Sequence, residues 1–329
     1  MAATSIDNQP ALRRGYGAIV RGYHTLNFKG QRMFLRHVSV LEQADLDEEY
    51  EKWFEAARKK GLATNDERCA ILTREGFLTK VEEDALAVQQ GKVEQIHRDK
   101  KVAYLPSQVK ELGESLKQEE QALWTLQCDR LALIGTTAET FAQQKVDEFY
   151  VVFNLFSSPD FEKRTFSDEE YDELAREDMV LLSGLYSEAL SNVSADCIKR
   201  IALMPSFQEP FRLCKDDVSS FFGRPVARLS YFQIRLANYG AYFKSILVNE
   251  SQIPPHLLND PDGLMDWVTG AHNSKAVMTH KEDGKSVALM GGTQSDMKEL
   301  GLDKNAKSLH AVSGGKAMTM QEMMKAQGF

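Results

Sequence analysis

The stretch SQVKELGESLKQEEQALWTLQCDRLAL (residues 107–133) decides the fold class. Val109, Leu112, Leu116, Leu123, Leu126 and Leu133 recur at steps of threes, fours and sevens, which lines them up along one side of a helix. Glu119 and Arg130 interrupt this seam where a strict coiled coil would want apolar residues, and Gly135 follows it. The pattern therefore predicts a helical hairpin or bundle rather than an extended rod.

Towards the N-terminus the same logic repeats. Gly61-Leu62-Ala63-Thr64-Asn65-Asp66-Glu67 is echoed by Gly76-Phe77-Leu78-Thr79-Lys80-Val81-Glu82. In each copy a glycine closes one helix, an apolar residue packs back on it, and Thr-x-x-Glu caps the next. A helix-turn-helix that reads DNA is a poor fit, because Glu82, Glu83 and Asp84 would face phosphates. Upstream, Asp45 with Glu48 reads as a cap for a helix carrying Leu46, Tyr50, Trp53, Phe54 and Ala57. Still earlier, Leu26, Phe28, Met33, Leu35 and Val38 flank Lys29-Gly30-Gln31, the turn of a small hairpin.

Towards the C-terminus, residues 138–156 read as one largely buried helix, and Ser167-x-x-Glu170 caps another region with Leu181, Leu182, Leu185, Ala189 and Leu190 on its apolar face. Pro205, Pro210 and Pro225 cut the next stretch of chain into short pieces. Ser230 and Gln233 then cap a helix whose Phe232, Leu236, Tyr239, Phe243 and Leu247 share a face. Past Trp267 aromatic residues vanish until Phe329 and glycine becomes frequent, which predicts a tail with short helical signals at 295–300 and 319–327. The expected protein is mainly α, bundle-like, with a small N-terminal β-hairpin and an extended C-terminal tail. Its expected divisions are an arm (1–22), a helical region with the hairpin (23–158), a second helical region (159–269) and the Gly-rich tail (270–329).

Composition narrows the classes of function. The chain has 329 residues, 43% hydrophobic and 27% charged, which suits a folded protein with a substantial core. A formal net charge of -8 argues against generic binding to phosphate backbones or anionic membranes. Residues 1–10 lack the pattern of a secretory signal, and no apolar run reaches the roughly 18 residues a membrane helix needs. Cys69, Cys128, Cys197 and Cys214 are widely separated, with no zinc-ligand spacing, and read as buried free thiols in a reducing compartment.

No catalytic, cofactor or metal motif emerges. The seven histidines make no HExxH pair. Gly314-Gly315-Lys316 lacks the first glycine and the hydroxyl residue of a phosphate loop, and Asp260-Pro261-Asp262-Gly263 is a helix-capping turn rather than a calcium loop. Asp168-Glu169-Glu170 suits the dipole of a helix's first turn. Two stretches suit recognition. Residues 224–244 combine Arg224, Arg228 and Arg235 with Tyr231 and Tyr242, which could stack on and neutralise a single nucleic-acid strand, although the regular helical apolar face there argues for packing. Met318, Met320, Met323, Met324 and Phe329 offer adaptable thioethers and a ring to a partner's groove.

Phe221-Phe222-Gly223-Arg224-Pro225-Val226, Leu229-Ser230-Tyr231-Phe232-Gln233, Tyr239-Gly240-Ala241-Tyr242-Phe243-Lys244-Ser245-Ile246-Leu247 and residues 260–267 resemble helical proteins of tailed-bacteriophage structural modules. The resemblance runs from about residue 50 to 302 and carries no catalytic residues. It implies a tail-assembly or minor virion protein that binds other phage structural or tail proteins, needs no cofactor, and works in the host cytoplasm or in the virion. Two other classes remain open: a nucleic-acid-handling accessory protein using 224–244, and an enzyme whose site assembles from residues distant in sequence.

Overall fold

A computed structural model describes residues 9–279 except 104, 168, 171, 172, 216, 251 and 252, together with Asp296; for 271–279 it describes the backbone alone. The chain is mainly α-helical with a small three-stranded antiparallel sheet near its N-terminus. In chain order the elements are α1 (Pro10–Arg21), β1 (Tyr23–Phe28), β2 (Gln31–Arg36), α2 (Gln43–Lys59), α3 (Asn65–Glu75), α4 (Lys80–Val102), α5 (Pro106–Ile134), α6 (Ala138–Phe153) and β3 (Leu155–Phe156). They continue with α7 (Arg176–Ser191), α8 (Ala195–Leu203), α9 (Pro205–Leu213), α10 (Val218–Phe222), α11 (Tyr231–Asn249) and α12 (Pro261–Thr279). Two compact units share them: unit 1 comprises Met1–Glu75 and Ile134–Pro261, and unit 2 comprises Gly76–Leu133 and Asp262–Phe329.

Unit 1 holds the sheet. Lys29 and Gly30 both take positive φ, 49° and 82°, which suits a two-residue turn that matches the twist of the strands it joins. Phe28 and Gln31 then face each other as the last pair of the hairpin. The expected 138–156 helix stops at Phe153, and Leu155 and Phe156 instead pair with Leu35 and Phe34 as a third strand. The hydrophobic pattern there suits either structure, and pairing with the open edge of β2 decides it. One sheet face, with Phe28, Met33, Leu35 and Leu155, packs on Leu182 and Ala189 of α7.

The rest of unit 1 is close helix packing. α1, inside the 1–22 arm, has Pro10 in its first turn and buries Leu12, Gly15, Ala18 and Ile19. Phe207 stacks on Phe211 with ring centroids 5.1 Å apart, and Phe221 meets both edge-on at 5.4 Å. α11 lies on this cluster through Gly240, where an added Cβ would sit 2.6 Å from the Phe207 ring. That close approach rotates the buried face of α11 to Gln233, Leu236, Ala237, Gly240, Phe243 and Ile246, leaving Leu247 exposed although its spacing predicts burial. Pro210 does not end its helix either: it lies inside α9.

Unit 2 centres on the helical hairpin α4–α5, as the heptad-like seam predicts. Leu78, Val93, Ala103, Leu105, Val109 and Leu116 are buried, and Leu264 and Val268 of α12 add to this apolar core. α12 continues through Gly270 to Thr279, into the stretch expected as the start of the tail. The Asp296 carboxylate accepts hydrogen bonds from the Ser107 amide and hydroxyl, at 2.8 and 2.7 Å, and so satisfies donors of the first turn of α5.

Among the described residues, local capping follows the sequence at four of the five expected boxes. Thr64 and Glu67, Thr79 and Glu82, Ser167 and Glu170, and Ser230 and Gln233 each exchange amide-to-side-chain bonds. The exception is Asp45. α2 begins at Gln43, and Glu42 rather than Asp45 accepts from a preceding amide, that of Ser39. Arg36 draws Glu42 into this position at 2.7 Å. No disulfide joins the cysteines, but Cys128 is exposed and the other three are only partly covered, so none is a buried thiol.

Candidate partner-binding surface

Three segments of unit 1 meet at the start of α11. Ser230 caps α11 by accepting from the Gln233 amide at 3.3 Å, while the Gln233 side-chain oxygen accepts from the Ser230 amide at 3.0 Å. The same side chain reaches back: its Nε2 donates to the carbonyls of Ile19 at 3.0 Å and Val20 at 3.4 Å, near the end of α1. Gln233 is fully buried, so these bonds satisfy groups that would otherwise be costly. Beyond β2, the His37 amide donates to the Gly22 carbonyl at 2.8 Å, Ser39 bridges to Ser230, and the Val40 amide donates to Leu229 at 3.2 Å.

This joint displays apolar side chains to solvent. Val40 (52% exposed), Leu41 (61%), Val226 (56%) and Tyr231 (59%) all belong to segments that it ties together. Leu229 between them is buried, and its amide bonds to the Val226 carbonyl at 3.1 Å. Arg228 is exposed beside them. The Arg235 guanidinium lies 5.3 Å from the Tyr231 ring centre and 5.8 Å from that of Tyr239. Exposed aromatic and arginine side chains on rigid backbone are the residue types that dominate protein interfaces.

Beneath the surface His24 and His37 lie with ring centroids 4.8 Å apart, and Phe232 meets His37 at 4.9 Å. His24 Nε2 and both His37 ring nitrogens have no hydrogen-bond partner. Burial, helped by the Arg21 charge, pushes His24 down to about 4. Burial first, then His24 and Arg224, pushes His37 down to about 3. Both rings are therefore neutral near pH 7 and form an uncharged floor. Among the described residues no three His, Cys, Asp or Glu side chains gather to hold a metal ion, and the neighbouring guanidiniums would oppose a cation here.

In unit 2, Trp124 is 61% exposed, and Cys128 and Leu131, one and two turns further along α5, are exposed on the same side. On the seam of the same helix Val109 and Leu116 are buried. Among the described residues no helix is long and apolar enough to cross a membrane.

The structure separates the two stretches singled out from sequence. Of 224–244, Tyr231 and Tyr242 are exposed, Arg228 is exposed, and Leu236, Gly240 and Phe243 form core. Met318, Met320, Met323, Met324 and Phe329 lie outside the described residues, as do the Gly314-Gly315-Lys316 loop and the 319–327 helical signal. Val40, Leu41 and Val226 were not legible as site residues, because long-range ties, the Ser39–Ser230 bridge and the Val40–Leu229 hydrogen bond, bring them together. No protein family, curated protein or solved structure matches the chain.

Proposed function

We propose that the chain is a non-enzymatic phage tail-assembly or minor virion structural protein that acts in the host cytoplasm or the virion by binding other tail proteins. The observation that carries the binding function is the pair of exposed apolar surfaces on well-packed elements, Val40-Leu41-Val226-Tyr231 in unit 1 and Trp124-Cys128-Leu131 in unit 2. Burying such side chains against a partner is worth roughly 1.5–3 kcal/mol each for a large aliphatic or aromatic residue. What supports the phage assignment is the resemblance carried by residues 221–267. The C-terminal methionines add a third docking element in this reading.

The test is affinity capture of the full-length chain from infected cells, with bound proteins identified by mass spectrometry. Tail proteins are expected with the wild-type chain, and in reduced amount with Trp124→Ala or with the four methionines changed to serine. Recovery of nucleic acid alone, or of a tightly held metabolite and no protein, contradicts the proposal.

A further inference from the structure

We infer that the Val40-Leu41-Val226-Tyr231 surface, with Arg228 and Arg235 beside it, docks an acidic amphipathic peptide segment of a partner protein. The inference rests on the partner-binding function proposed above and specifies the chemistry of what binds. Its basis is charge. Between Asp217 and Glu250 the sequence contains Arg224, Arg228, Arg235 and Lys244 and no acidic residue, in a chain whose formal net charge is -8. A basic flank on the α11 side of the exposed apolar anchors complements a segment with apolar residues on one face and carboxylates along the edge that meets Arg228 and Arg235.

Side-chain geometry distinguishes a peptide from a nucleic-acid strand. Base stacking requires open aromatic faces. Here the Arg235 guanidinium takes up one face of Tyr231, 5.3 Å from the ring centre, and reaches Tyr239 as well, so no base can be held between these two rings. A guanidinium held against a ring keeps donors along its edge, which suit the two oxygens of a carboxylate. On the other side of the surface, Leu41 is followed by Glu42, Asp45, Asp47, Glu48 and Glu49. A polyphosphate lying across Leu41 would meet these acids, whereas a peptide can place a neutral or basic residue there. Val40, Leu41 and Val226 give apolar contact that a phosphodiester backbone does not use.

Tyr231 and Tyr242 are eleven residues apart on α11, about 16 Å along the axis and on nearly the same side. A helical segment of about three to four turns spans that distance. The partner's acids would flank its apolar face at positions within reach of Arg228 and Arg235.

Fluorescence anisotropy on the full-length chain tests this with three probes: labelled amphipathic peptides of about four turns with glutamates along one edge of a leucine and phenylalanine face, the same peptides with lysines replacing the glutamates, and oligo-dT. The glutamate peptides are expected to bind at least about tenfold more tightly than the lysine peptides. Val226→Ser with Tyr231→Ala should weaken them by about tenfold or more, and Arg228→Glu with Arg235→Glu should reverse the preference towards lysine peptides. Reversal needs a folded chain, so it separates docking from loss of structure. Glutamate peptides that bind no better than lysine peptides, binding unchanged in the variants, or tighter binding of oligo-dT would each overturn the inference. If tail proteins are still captured equally by the Arg228→Glu, Arg235→Glu chain, the function stands and this surface falls.

Discussion

α1 and α11 of unit 1 and the α4–α5 hairpin of unit 2 are all helix packings, but they are held in different ways. In unit 1 the backbone itself is in contact. A methyl group at Gly15 would overlap the Asn192 carbonyl oxygen, and one at Gly240 would overlap the Phe207 ring. In unit 2 the helices lean on polar pairs: between α4 and α5 Gln89 donates to the Glu119 carbonyl at 3.0 Å and Arg130 pairs with Glu83 at 2.7 Å, and between α4 and α12 Lys100 pairs with Asp266 at 2.7 Å. Gly91 in the middle of α4 has nothing near it. Shape-matched packing fixes one arrangement and tolerates no added volume, while partly exposed ion pairs contribute little and tolerate change.

The contrast breaks if glycine substitutions behave alike in the two units. Gly15→Ala is expected to cost roughly 3 kcal/mol, the upper end for overpacking, because backbone rather than a flexible side chain blocks the methyl. Urea unfolding followed at Trp53, in unit 1, measures it. A loss under about 0.5 kcal/mol would mean that α1 is loosely seated. Gln233→Ala is expected to cost about 2 kcal/mol, since it removes one cap and leaves the Ile19 and Val20 carbonyls short of a donor.

Acid sharpens the contrast. His24 and His37 are depressed in the folded chain relative to about 6.5 unfolded, so the unfolded state takes up protons first as pH falls. The stability they contribute is complete above pH 6.5 and is lost progressively down to about 3, in unit 1 alone. Changing both to glutamine should flatten the pH dependence of unfolding between 6.5 and 4. An unchanged slope would show that other groups set it. The smallest effect has the opposite sign: Gly91→Ala should stabilise α4 by up to about 1 kcal/mol, seen as added helicity or a higher midpoint reported by Trp124 and Trp267.

The same contrast explains which features could be read from sequence. The hairpin turn at Lys29-Gly30, the long α5 helix and four capping boxes were legible because each is set by residues within a few turns. β3 was not, since Leu155 and Phe156 continue a helical pattern and become a strand only against the edge of β2. The interleaving of the two units is equally invisible, because it depends on which distant segments pack together. For the candidate surface, Arg228, Tyr231 and Arg235 stood out by composition. Val40 and Leu41 join them only through long-range backbone pairing of 39–40 with 229–230, and the buried histidines carry no local signal, since their meaning lies in the missing hydrogen-bond partners.

Amide hydrogen exchange of the full-length chain measures the difference between the units directly. Amides of α8 and α11 should exchange most slowly, and those of α4 at least about tenfold faster, because the hairpin opens at lower free energy. Equal protection in α4 and α11 would contradict the distinction between a shape-locked unit 1 and a tolerant unit 2.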